Sequence, residues 1–360
     1  MPDGLTRPAP RLLVTTDTVG GVWPYSIDLA AGFADQGMAT LLAVMGPGPN
    51  PAQRAQAAAV PGLHLVETGL PLDWTAETPE QLAHASARLA ALASLTGVTG
   101  AHLHSPALVG AGRWPVPVVA VTHSCVATWW RAVRGGPMPE DFAWRSAAVA
   151  VGLHAASAVV APTAAHASAT RAVYGPARIE VVHNGRRPMA LPSAPRRPSV
   201  LTAGRLWDEG KGAAMLDRAT LGLDAPVLAA GPLTGPGGAA IALHHMQSLG
   251  TLDPAALAAA YAGATVFTSM ARYEPFGLAV LEAAQAGLAL VLSDTPGFRE
   301  LWDGAAIFVG NESELQPALR QALSDPAPWA ARAQHHAARY TVDAMAAGTL
   351  DMHRALAMAA

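Results

Sequence analysis

Short apolar runs recur along the chain, closed by glycine, proline or small polar residues and often followed by stretches with helical spacing. The first, Leu12 to Thr16, leads through Asp17-Thr18-Val19-Gly20-Gly21 into a helical stretch reaching about Gln36. Others lie at Thr40 to Met45, Leu63 to Glu67, Ala101 to His104, Pro117 to Thr122, Ala158 to Ala161 and Ile179 to Val182. Strands that alternate with helices in this way predict a parallel sheet covered on both faces. The pattern breaks at Arg186 to Pro198, where four prolines among thirteen residues permit no regular element and predict a semi-rigid linker.

Alternation then restarts, with strands at Val200 to Ala203, Val227 to Ala230, Ala264 to Ser269, Ala289 to Leu292 and Ala306 to Val309. Helices fall near Gly212 to Ala219, at Pro254 to Tyr261, and from Pro275 to about Gly287. The tail from Trp329 to Met358 reads as helices. The expected organisation is an α/β pair of Rossmann-like, doubly wound domains over residues 1–187 and 199–340. A linker at 188–198 joins them, and a last helix over 341–360 returns to the first domain. Two such sheets leave a cleft between the carboxyl ends of their strands, which is where ligands of these sheets bind. That cleft is expected to close on its ligand.

Composition agrees with this picture. At 360 residues the chain is longer than one core usually supports, and 51% hydrophobic against 14% charged residues suits two large cores. A net charge of −3 gives no electrostatic footprint for nucleic acid. The single Cys125 excludes an intrachain disulfide framework and suits a reducing cytoplasm. The first ten residues carry three prolines and no apolar run, so no signal peptide is visible. Ser146 to Ala165 is long and uncharged, but His154 and Pro162 interrupt it, and a helix followed by a buried strand accounts for it. A cytoplasmic location is expected, with contact at the inner membrane face left open, as is the oligomeric state.

Candidate chemistry gathers in two places. Arg272 to Glu282 follows the strand ending at Ser269, so Glu274 falls in the loop and the free N–H groups near Phe276, Gly277 and Leu278 cap a helix start, a position that attracts phosphate. Pro275 suits an early helical position. Glu282 lies further along an apolar helix and needs donors. With no cation three or four residues away, the hydroxyls of a ligand are the natural partner, the alternative being a surface position. The second place is Gly204 to Gly212. Lys211 is the chain's only lysine against 22 arginines, and it stands between two glycines at a strand-to-helix turn. Arg205 and Lys211 could converge on a diphosphate; the alternative is a solvated loop whose cations pair with Asp208 or Glu209.

Together these residues resemble the retaining glycosyltransferases of family 4, which have the GT-B fold. The likeness rests on Gly-Arg-Leu followed by Lys-Gly, on Glu274 and Glu282 with Pro-Phe-Gly after the first, and on Ser293 to Gly297 with Arg299-Glu300. Gly20-Gly21-Val22, Thr122-His123-Ser124 and Asn184-Gly185 extend it over nearly the whole chain. The resemblance implies a nucleotide diphosphate sugar as donor, with Arg205 and Lys211 on the diphosphate. Gly20, Gly21 and the backbone of Phe276, Gly277 and Leu278 would border the donor. Glu282 would hold the ribose, while Glu274 and His123 would flank the transferred sugar as catalytic residues.

Such an enzyme needs no cofactor beyond its donor, because fixed cations and helix-start amides stabilise the leaving diphosphate. No metal is expected, since the His102/His104 and His244/His245 pairs lack carboxylate company. The acceptor is a small molecule, glycan or lipid-linked compound that the sequence does not identify. A nucleotide-sugar epimerase or a phosphorylase on the same fold, or a non-catalytic nucleotide-sugar binding protein, are the alternatives. A hydrolase using Glu274 and Glu282 offers no reason for Arg205 and Lys211. Cys125 reads as an inert buried thiol, and Trp129-Trp130-Arg131 as core or rim packing.

Overall fold

A computed structural model describes residues 10–175, 177–235 and 238–359. The first sheet contains β1 (Arg11–Asp17), β2 (Ala39–Met45), β3 (Leu63–Glu67), β4 (Gly100–Leu103), β5 (Val118–Val121), β6 (Ala158–Ala161) and β7 (Glu180–Val181). The second contains β8 (Val200–Ala203), β9 (Val227–Ala230), β10 (Gln247–Gly250), β11 (Val266–Ser269), β12 (Ala289–Ser293) and β13 (Ala306–Val309). All pairings within both sheets are parallel. The orders are β3-β2-β1-β4-β5-β6-β7 and β10-β9-β8-β11-β12-β13, so each sheet reverses direction at its first strand. The crevices outside the carboxyl ends of β1/β4 and β8/β11 are therefore the switch points where ligands of open α/β sheets bind.

The apolar runs form strands because both sheet faces are covered, so backbone and side chains leave water together. Leu12, Leu13 and Val14 are buried on successive faces of β1. The helix Val342–Ala359 crosses back to the first domain and packs Met345, Ala346 and Leu350 against Tyr25, Leu29 and Phe33 of the helix Val22–Asp35. Gly32 permits that approach, since a Cβ there would lie 2.6 Å from the Ala346 Cβ.

Three expectations are corrected. β10 escaped the hydrophobic pattern because it is a half-exposed edge strand, Gln-Ser-Leu-Gly, that joins β9 with a register shift. The strand expected from Ala264 begins at Val266, because Ala264 ends the helix Pro254–Gly263. Pro275 is not an early helical residue: the helix Leu278–Gln285 starts later, with Gly277 at its N-cap in the left-handed region at φ 91°. Between Asn184 and Ser199 the chain has no helix or strand. No helix among the described residues is long and apolar enough to cross a membrane.

Candidate active site

Two loops of the second domain meet at its switch point. The loop after β8 carries Arg205 and Lys211, and the loop after β11 carries Glu274. They are joined through Gly210, whose carbonyl accepts the Arg272 N–H at 2.8 Å and the Tyr273 N–H at 3.3 Å. Only glycine fits on either side of Lys211. A Cβ at Gly210 would lie 2.7 Å from Trp129 Nε1, and Gly212, at φ 69°, would drive one into the Met270 carbonyl. This packing delivers Lys211 to Glu274: Nζ donates to Oε2 at 2.6 Å, with about a fifth of each side chain exposed (22% and 18%). Arg205, half-exposed, donates to Asp208 Oδ2 at 3.3 Å. Asp208 also accepts the Gly210 N–H at 2.9 Å, which holds the turn Glu209–Lys211. Both cations therefore rest on carboxylates within the cleft, Lys211 on Glu274 and Arg205 on Asp208.

The backbone N–H groups of Phe276, Gly277 and Leu278 have no intramolecular acceptor among the described residues. They open the helix Leu278–Gln285 beside the Lys211–Glu274 pair, where the helix dipole favours an anion. The Phe276 side chain is buried and meets Tyr340 edge-on, so this residue offers its amide and not its ring. Lys211, Glu274, Gly277 and Val280 line a small cavity of about 20 Å³ at the switch point.

The sequence reading left Glu282 without a protein partner, and the structure supplies two. Arg186, from the start of the linker, donates through Nε to Glu282 Oε1 at 2.7 Å. The Tyr261 hydroxyl shares its proton between Oε2 at 3.3 Å and the Ala279 carbonyl at 3.1 Å. Glu282 is 8% exposed, so it is not the surface carboxylate of the alternative reading. Its cation comes from 96 residues away in the chain, which is why no local spacing pointed to it.

Across the cleft stands the first domain's switch point. Gly20 takes φ 96° after β1, and Gly21 lies against the donor-side helix, a Cβ there falling 3.7 Å from Leu278 Cδ1. His123 follows β5 and packs edge-on to Tyr25 at 4.5 Å and to His104 at 4.9 Å. Burial, with His166 nearby, pushes the His123 imidazole down to about 3, so it is neutral near pH 7. Its Nε2 is buried with no partner among the described residues.

Two carboxylates that the motifs did not single out stand at this edge. Asp17, 7% exposed, accepts the Val19 N–H at 2.7 Å, and burial pushes its carboxyl up to about 6. Asp73, also raised by burial, accepts the Ser105 hydroxyl at 2.7 Å. Asp17 ends β1, and a lone strand-end aspartate carries no sequence signal.

The domains meet along a polar seam. Tyr273, next to Glu274, shares a 2.8 Å hydrogen bond with Thr128 and accepts the Cys125 N–H at 3.3 Å. Trp129 donates through Nε1 to Asp208 at 3.0 Å, so this tryptophan is more than rim packing. Thr163 donates to the Pro275 carbonyl at 2.9 Å, and Glu300 accepts the N–H groups of Ala164 and Ala165 at 2.9 and 2.8 Å. Cys125 is half-buried, and its Sγ accepts the Thr128 N–H at 3.4 Å and the Tyr174 hydroxyl at 3.1 Å. The cleft is thus drawn together, with bonds on both sides of the loop that carries Glu274.

Comparison with known proteins gives two family matches. The model described as Glycosyltransferase Family 4 matches residues 19–188, and the model described as Glycosyl transferases group 1 matches residues 239–341. Curated protein sequences give no match. Among solved structures, sucrose-phosphate synthase from Thermosynechococcus elongatus is similar, with a TM-score of 0.78 at 17% identity, over 98% of this chain and 100% of that one. HepE of Anabaena, in complex with UDP-glucose, gives 0.73 at 19% identity over 96% and 100%. A glycosyltransferase from Rickettsia africae gives 0.70 at 15% identity over 96% and 98%. At these identities the likeness establishes the shared two-sheet architecture.

Proposed function

We propose that the chain is a glycosyltransferase, the reading its two family matches and its fold support, and that it transfers a sugar from a nucleotide diphosphate sugar to an acceptor with retention of configuration. The observation that carries this reading is the Lys211–Glu274 pair beside the unpartnered amides of Phe276, Gly277 and Leu278. It brings a cation, a helix dipole and a carboxylate to one switch point.

Breaking a glycosyl phosphate bond leaves negative charge on the departing diphosphate and positive charge on the anomeric carbon. Lys211, Arg205 and the helix-start amides stabilise the first charge, more in the transition state than before it. They do so without a metal ion or other cofactor. Glu274, on binding of donor, shares Lys211 with the diphosphate and sets its carboxylate beside the sugar. His123, kept neutral by burial, presents an imidazole able to hydrogen-bond a sugar hydroxyl without adding a cation near the anomeric carbon. Gly20 and Gly21 leave room for the sugar between the domains, and Glu282 receives the ribose hydroxyls. The seam between the domains opens to admit the nucleotide sugar and re-forms around it.

The UDP-glucose complex of the HepE neighbour makes UDP-hexoses the first donors to test. Thermal-shift measurements with UDP-, GDP- and ADP-sugars should select one base, because a ligand at 100 times its Kd stabilises by about 2.7 kcal/mol. Slow hydrolysis of the selected donor in the absence of acceptor separates an enzyme from a binding protein. No stabilisation by any of the three sets would overturn the reading.

A further inference from the structure

Arg186 lies outside the motifs that carry the family resemblance, yet it holds the centre of a buried chain of charge. Its Nε donates to Glu282 at 2.7 Å and its Nη1 donates to Asp28 at 2.7 Å. The side-chain exposures of Arg186, Glu282 and Asp28 are 21%, 10% and 9%, so neither link is a surface ion pair. Burial alone would disfavour the guanidinium; Glu282 and Asp28 more than offset this and raise its pKa above the ordinary value. Its backbone is equally fixed: the N–H donates to the Tyr340 carbonyl at 3.3 Å, and the carbonyl accepts Gln285 Nε2 at 2.8 Å. Just before it, a Cβ at Gly185 would collide with the Thr341 carbonyl, which leaves the chain one path into the linker.

We propose that Arg186, anchored by Asp28, is a positioning residue that holds the Glu282 carboxylate oriented for the ribose of the donor; this rests on the donor-site reading above. Arg186 donates to Glu282 Oε1, while Oε2 has at most a share of the Tyr261 proton, which lies nearer the Ala279 carbonyl (3.1 against 3.3 Å). A carboxylate oxygen accepts about two hydrogen bonds. At least one acceptor position per oxygen therefore remains, enough for the two vicinal hydroxyls of a ribose. Without Arg186 the buried carboxylate would keep only a share of the Tyr261 proton, which leaves it free to rotate. Asp28 belongs to the helix that starts beyond Gly21, and Glu282 to the helix that starts at Gly277. The linker residue thus ties the two glycine-opened helices of the cleft to each other.

The test compares UDP, GDP and ADP with their 2′,3′-dideoxy forms by calorimetry on the full chain. For the base that binds, wild type should favour the ribose form by about tenfold or more, the worth of hydrogen bonds to a charged group. Glu282→Ala should bring that ratio close to one. Arg186→Met should do the same, and adding it to Glu282→Ala should change the ratio no further. Arg186→Lys keeps the charge and the fold but loses the two-sided fork, and should lower the ratio by about threefold or more. A purely structural role for Arg186 would lower stability and leave the ratio intact. If Glu282→Ala loses the discrimination while both Arg186 variants keep it, the positioning role is wrong and the donor site stands. Equal binding of ribose and dideoxy forms by wild type, or no binding of any base, overturns the donor-site reading itself.

Discussion

Replacing Lys211 by Met tests the donor site where it is most exposed to failure, because the two side chains are similar in length and only the charge is lost. In the structure Nζ sits 2.6 Å from Glu274, with about four fifths of each side chain shielded from water (22% and 18% exposed). A hydrogen bond to a charged group contributes about 1.5 to 3 kcal/mol, so removal of the ammonium should weaken nucleoside diphosphate binding by about 10- to 150-fold. The variant also leaves Glu274 facing the diphosphate with its charge unpaired, which adds repulsion to the lost contact. Stability should fall by about 1 kcal/mol, since water still screens part of the pair. The double variant Lys211→Met with Glu274→Gln separates the two effects. It should recover the melting temperature, yet its Kd for the diphosphate should stay about tenfold above that of wild type. Calorimetry supplies the Kd and differential scanning the melting temperature. An unchanged Kd in the single variant refutes the phosphate role, and full recovery of affinity in the double variant shows that only the repulsion mattered.

Glu274→Gln alone frees Lys211 from its carboxylate, so affinity for the bare diphosphate should hold or tighten while kcat falls; steady-state kinetics beside calorimetry checks this split, and a loss of diphosphate affinity would contradict it. Asp17→Asn should stabilise the protein near pH 7. The folded-state pKa of about 6 lies above the ordinary 3.8, so the stability contributed by the bound proton is full below the ordinary value and lost as pH rises through 6. The gain of the Asn variant should be on the order of 1 to 3 kcal/mol at pH 7.5 and fade towards pH 4; urea midpoints that shift equally at both pH values would remove the case for a buried, proton-holding Asp17.

The periodicity of apolar runs determined most of this architecture, because a strand buried on both faces has to be apolar along its whole length. Among the strands it missed the half-exposed edge strand at Gln247–Gly250, which carries no such signature. The Lys211 and Glu274 loops were legible as strand-to-helix turns, since glycines and a lone lysine mark local backbone demands, although Pro275 placed the helix start three residues too early. What the sequence by itself could not decide was which charges meet. Lys211 finds Glu274 across 63 positions, and Arg186 finds Asp28 across 158 and Glu282 across 96. Asp17 looked like any strand-end aspartate until burial raised its carboxyl. Pairing, desolvation and pKa depend on distance and on exclusion of water, and only the packing of two sheets, their linker and the returning helix sets those.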